Sequence, residues 1–138
     1  MAEGTLVAAE LDLGRRLYEI LRPLPAVRME ALFWWKEEDD KWHLYVVSPL
    51  VHEEGPLSAF RKMRQALQDA KAPEEVRELL ERAEVMSPSE GLVTVIETGS
   101  PVKPPLNKVL IRESLGAGLY VEGAYFYHFA PQTFMVRS

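Results

Sequence analysis

Residues 32–51 read LFWWKEEDDKWHLYVVSPLV, and no other run narrows the possible folds as far. Two apolar segments flank four consecutive acids, and all three tryptophans of the chain fall within them. Short segments rich in β-branched and aromatic residues, joined by a polar tract, form a β-hairpin. The strands are predicted at 27–36 and 41–48. If Lys36 and Lys41 close a four-residue loop, residues whose numbers sum to 77 stand opposite one another and share a face. One face then carries Met29, Ala31, Phe33 and Trp35 with Trp42, Leu44, Val46 and Ser48, and reads as core. The other carries Arg28, Glu30, Leu32 and Trp34 with His43, Tyr45 and Val47, a mixed surface that something must partly cover. A slip of one residue would exchange the faces.

The flanking sequence supplies the cover. Leu13, Leu17, Ile20 and Leu21 form the stripe of an amphipathic helix that Pro23 and Pro25 end. After Ser48-Pro49, Gly55 and Pro56 open a second helix with Leu57, Phe60, Met63, Leu67 and Ala70 on its inner face. Ala72-Pro73 breaks it, and a third helix follows with Val76, Leu79, Leu80 and Ala83 buried and acids in its first turn. The period then changes to that of strands. LVTVIET (92–98), KVLIRES (108–114) and GLYVEGAYFYHF (118–129) are each predicted as one, with a short terminal strand at Phe134–Val136. Gly123 inside the last run marks a bulge or bend. Consecutive strands without βαβ alternation predict an α+β fold: an antiparallel or mixed sheet of about five strands, with three helices packed mainly on one face. Residues 1–138 form a single domain, because no linker divides them.

Composition removes several function classes. Of 138 residues, 47% are hydrophobic, enough for one core that buries roughly two-thirds of the unfolded surface. No window reaches the ~18 apolar residues of a membrane span, and the N-terminus lacks the basic and apolar regions of a signal peptide, so a cytoplasmic protein without membrane contact is expected. Zero cysteines exclude disulfides, thiolate metal sites and cysteine nucleophiles. One asparagine and three glutamines lean toward a thermophilic source. The net charge of −5 argues against wholesale phosphate binding, although residues 57–72 carry Arg61, Lys62, Arg64 and Lys71 against Asp69 alone.

The segment FWW…WHLYVVSPLV…GP, over roughly residues 32–56, resembles a set of small uncharacterised bacterial proteins of unknown function. The resemblance implies no activity, cofactor or site residue.

Chemical motifs are sparse. There is no GxxxxGK[ST], no GxGxxG and no HExxH, and the three histidines, His43, His52 and His128, lack metal-ligand spacing, so neither cofactor nor metal is expected. His52-Glu53-Glu54 reads as a solvated or capping loop, and Ser48 as a turn-forming serine rather than a nucleophile. Glu30 is the preferred acid–base candidate, since the assumed register sets it beside Trp34, His43 and Tyr45, where aromatic surroundings would raise a carboxyl pKa. On the last strand Tyr125, Tyr127 and Phe129 fall on one side, and Phe126 and His128 on the other. Together, Glu30, Trp34, His43, Tyr45, Tyr125 and Tyr127 form the expected ligand or interface surface. No catalytic residue is assigned. The expected function is binding, by self-association through aromatic strands or with a protein partner. The alternatives are an enzyme or small-ligand pocket near Glu30 and His43, and weak nucleic-acid binding by the basic helix.

Overall fold

A computed structural model describes residues 6–99, 104–115 and 119–131. The acidic tract closes a hairpin between β1 (Ala31–Lys36) and β2 (Trp42–Val47), with a loop that differs from the predicted one. The Glu37 N–H donates to Lys41 O at 3.0 Å, and the Asp40 N–H donates to Glu37 O at 2.9 Å. Asp40 takes a left-handed backbone, φ 64°. A tight turn followed by one left-handed residue is the common three-residue hairpin loop. Aspartate fills the place where glycine would have announced it, because its short polar side chain tolerates that region. The pairing is therefore one residue off the expected register: Phe33 faces Tyr45, Trp34 faces Leu44 and Trp35 faces His43. Phe33 and Trp35 lie on the side of His43, Tyr45 and Val47, whereas Leu32 and Trp34 lie with Leu44 and Val46.

The helices are α1 (Ala8–Leu21), α2 (Leu50–Glu54), α3 (Pro56–Asp69), α4 (Glu74–Arg82) and α5 (Gly91–Gly99). Strands β3 (Glu84–Met86), β4 (Leu110–Ser114) and β5 (Tyr120–Phe129) complete a five-stranded sheet ordered β3-β2-β1-β5-β4. The sheet is mixed, because β2 and β3 run parallel while the other pairs are antiparallel. This is the α+β architecture expected. Three helices cover one face: Leu17 and Leu21 of α1, Met63 and Leu67 of α3, and Val76, Leu79 and Leu80 of α4 pack on Leu32, Trp34, Leu44 and Val46. The opposite face is also closed, by Val93 and Ile96 of α5 with Leu110 and Leu115 over Ala31, Phe33, Tyr45, Val47 and Phe126. A strand buried on both sides needs apolar residues at every position, which accounts for the unbroken run ALFWW.

Three expectations are corrected. Residues 92–98 are helical, because the preceding SPSEG builds a helix start: the Ser89 N–H donates to Ser87 Oγ at 3.1 Å and the Thr94 N–H to Glu90 O at 3.0 Å. Val93 and Ile96 are buried three apart while Val95 is exposed, a helical spacing that packing imposes over β-branched propensity. Gly123 makes no bulge; it pairs regularly with Ile111, and its missing side chain leaves room for the Trp42 ring, whose Cη2 would lie 2.6 Å from an added Cβ. The bulge falls further on, where Leu32 faces His128 but Phe33 faces Phe126. That extra residue shifts the alternation, so Phe129 joins Phe126 on the α5 face, their rings 5.5 Å apart, and His128 turns toward Tyr18 on the α1 face. The expected strand at 134–136 lies outside the described residues.

Candidate functional site

The six residues expected to form one surface are distributed over two faces and two ends of the sheet. Trp34 is 3% exposed beneath the helices, and its Nε1–H donates to the Tyr127 hydroxyl at 3.1 Å. That hydroxyl in turn donates to Leu11 O of α1 at 2.7 Å. Tyr127 stacks on Tyr18 and meets Tyr125 edge-on, with centroids 6.4 and 5.0 Å apart. Burial pushes the Tyr127 hydroxyl well above the usual tyrosine range, so it stays neutral and donates. Trp34, Tyr125 and Tyr127 are therefore interior glue between sheet and α1. Tyr45, 4% exposed, belongs to the opposite face. Glu30 is half-buried at the far end of the hairpin from His43, its N–H bonded to Val47 O and its C=O accepting from the Ala130 N–H.

The carboxylate that does meet Tyr45 is Glu37, the first acid of the turn, while His43 meets Asp39 and Glu84. Its Oε2 accepts the Tyr45 hydroxyl. His43 Nε2 lies 3.0 Å from Asp39 Oδ2, and its Nδ1 lies 3.7 Å from Glu84 Oε2 on β3. The His43 and Tyr45 rings stack at 6.4 Å. Partial burial raises the Glu37 pKa, with His43 pulling it down and Glu84, Asp39 and Glu38 pushing it up. The hydrogen bond from the Lys41 N–H, and then that with His43, lower the pKa of Asp39. Sequence reasoning sought an acid on the strand. The signal it missed is that a turn acid can fold back over residue i+8 once Asp40 turns left-handed.

The two shifts have opposite consequences. Glu37, with its folded pKa raised, contributes stability below its ordinary carboxylate range that is lost as pH rises through the folded value. Asp39, with its folded pKa lowered, contributes stability above its ordinary range that is lost as pH falls through the folded value. Glu37→Gln keeps an oxygen for Tyr45 and removes the desolvated charge. Thermal midpoints between about pH 3 and pH 7 should show this variant more stable than wild type at neutral pH, with the advantage vanishing toward acid. An advantage that grew toward acid would contradict the assignment.

The remaining candidates are structural. Ser48 is fully buried, its hydroxyl donating to Val27 O at 2.8 Å and accepting the Leu50 N–H at 3.1 Å, which shapes the turn into α2. His52 Nδ1 reaches the enclosed Ser87 hydroxyl at 3.1 Å beside the α5 start. On the basic helix Lys62 is bound to Glu54 at 2.8 Å and Arg64 to Glu81 at 3.0 Å, which cancels much of its charge. Among the described residues no group of three or more His, Cys, Asp or Glu side chains is placed to hold a metal ion. Nor is any helix among them long and apolar enough to cross a membrane.

Two surface features stand out. An open apolar groove of about 620 Å³ runs between the end of α1, residues 24–27 and α3, with Ile20, Leu24, Val27 and Ala66 on its walls and Lys62 and Asp69 at its rim. At the far edge of the sheet, β4 has a neighbour on one side only among the described residues, and the Asn107 N–H extends that edge by donating to Phe126 O at 2.8 Å. Leu106, Val109, Ile111 and Tyr120 lie along it, 39–56% exposed, four of the six large exposed hydrophobic residues among those described.

Fold and surface together define an α+β architecture with a five-stranded mixed sheet, covered on both faces and, among the described residues, edged by β4 and its exposed hydrophobic side chains. No family model, no curated protein and no solved structure matches the chain.

Proposed function

We propose that the protein works by binding and that it associates with a second copy of itself through the β4–β5 edge. The observation that supports this reading is the row of exposed hydrophobic side chains along the edge of the sheet formed by the described residues. Solvated edges are normally blunted because they template pairing, and a strand edge is self-complementary, as a two-fold interface requires. Arg112, with a left-handed φ of 49°, and Glu113 interrupt the outer part of the strand, so the contact is carried by Val109, Ile111 and Tyr120 more than by a long ladder. The aromatic strand β5 thus contributes Tyr120, its exposed end, whereas Tyr125 and Tyr127 hold the fold. We assign no catalytic role, and a cytoplasmic setting is proposed on the sequence's lack of a long apolar run.

Light scattering across a concentration series tests the reading. Wild type is expected to approach twice the monomer mass. Ile111→Asp combined with Tyr120→Ser should hold it at the monomer mass with the thermal midpoint that wild type shows when diluted to monomer, since both side chains are exposed in the single chain. A wild-type protein that stays monomeric throughout would remove the proposal.

A further inference from the structure

Two cations line one depression at the corner between α3 and α4. The cavity, about 340 Å³, is bounded by Leu67, Gln68, Lys71, Ala72 and Arg77. Leu67 and Ala72 make a buried apolar floor, while Gln68, Lys71 and Arg77 are exposed around it. Lys62 and Arg64 of α3 are neutralised by Glu54 and Glu81, whereas Lys71 and Arg77 make no ion pair among the described residues.

The backbone provides a second observation. Lys71 follows the α3 C-cap with φ 54°. Its N–H donates to Gln68 O at 3.0 Å, and the Ala72 N–H donates to Leu67 O at 3.0 Å. This is the helix-ending turn in which glycine is the usual residue, since an L side chain in left-handed backbone is strained. Non-glycine residues in left-handed backbone close turns and end helices, as Asp40 does in the hairpin, and they also cluster at ligand sites. The helix dipole welcomes one cation at the α3 C-terminus, but that does not account for Arg77, which lines the same cavity from α4.

We infer that this corner binds the phosphate group of a small molecule. A guanidinium fork and an ammonium point charge match the two charges of a phosphate dianion, and the Gln68 amide adds a neutral donor. A carboxylate would balance only one of the cations. A nucleic acid suits the site less well, because Glu74 and Glu75 occupy the first turn of α4 and the chain carries a net charge of −5. A strand tracking across that surface meets like charge, while a single phosphate meets the two cations.

The test is titration of inorganic phosphate into the full chain, followed by calorimetry and amide chemical shifts. Saturable binding is expected, with shifts concentrated at residues 67–77 and no competition from acetate at matched ionic strength. Arg77→Gln should weaken binding by about tenfold or more. Lys71→Gly should weaken it by a similar factor while holding or raising the thermal midpoint, because it relieves the left-handed strain as it removes the ammonium. Folding and binding are thereby separated in one variant. The inference is overturned by the absence of saturable binding, by acetate competing equally, or by Lys71→Gly binding phosphate as wild type does. It is also overturned if a single-stranded oligonucleotide binds through Arg61 and Lys62 as much as through Lys71, since the corner would then be part of a polyanion track.

Discussion

Phe33→Ala should cost about 3–5 kcal/mol, the upper range for a single truncation in a packed core. Phe33 is completely buried at the middle of the α5-side core. Its ring centroid lies 5.2 Å from Phe126, 5.6 Å from Tyr45, 6.0 Å from Phe129 and 6.3 Å from Trp35, joining β2, β1 and β5 through side chains alone. Removing it forfeits the transfer energy of a full aromatic and leaves a void whose walls are other rings, which cannot collapse easily into it. Phe33→Leu, which refills most of the volume, should lose much less. Urea unfolding midpoints of the two variants decide the matter. A loss below about 1 kcal/mol for the alanine variant would mean that the second face of the sheet is not a packed core.

Gly14→Ala should destabilise by about 2–4 kcal/mol, although alanine for glycine inside a helix ordinarily gains about 1 kcal/mol. An added Cβ at Gly14 would press on the Tyr127 hydroxyl and stand 2.6 Å from its Cζ. Tyr127 is poorly placed to yield. Its hydroxyl is bonded on both sides, to Leu11 O and the Trp34 Nε1–H, and its ring lies between Tyr18 and Tyr125, with the Arg15 guanidinium 5.6 Å above. The helix must therefore lift off the sheet or the buried hydrogen bonds must break, leaving polar groups unsatisfied. In a Tyr127→Phe background part of the clash is gone, so the cost of Gly14→Ala should shrink, a coupling that a double-mutant cycle measures directly. An increase in the urea midpoint on Gly14→Ala alone would show that α1 does not bear on Tyr127.

Particular residues show how far local signals reached. Pro56 after Gly55, the leucine stripe of α1 and the acids opening α4 announced their helices, because caps and periodicity act within a few residues. The hairpin was legible for the same reason. Its register was not: one left-handed aspartate at position 40 exchanged the partners of every residue in β2. The candidate site changed with it. Trp34, expected beside His43 and Tyr45, lies across the sheet from them, and Glu37 takes the place foreseen for Glu30. Nothing nearby in the chain marks the bulge before His128 either, since it is set by β5 pairing with a strand some ninety residues earlier.

By itself the sequence determined which segments are apolar enough to be buried and where chain reversals fall, and hence an α+β domain without thiol chemistry or a membrane-spanning helix. Those properties are local sums over composition and spacing. Only the tertiary structure decided that both faces of the sheet are covered, that VTVIET winds as a helix, which carboxylate meets Tyr45, and where the exposed hydrophobic side chains gather. Each of these depends on contacts between residues far apart in the chain, where packing energies exceed local preference and a shift of one residue redirects every side chain that follows.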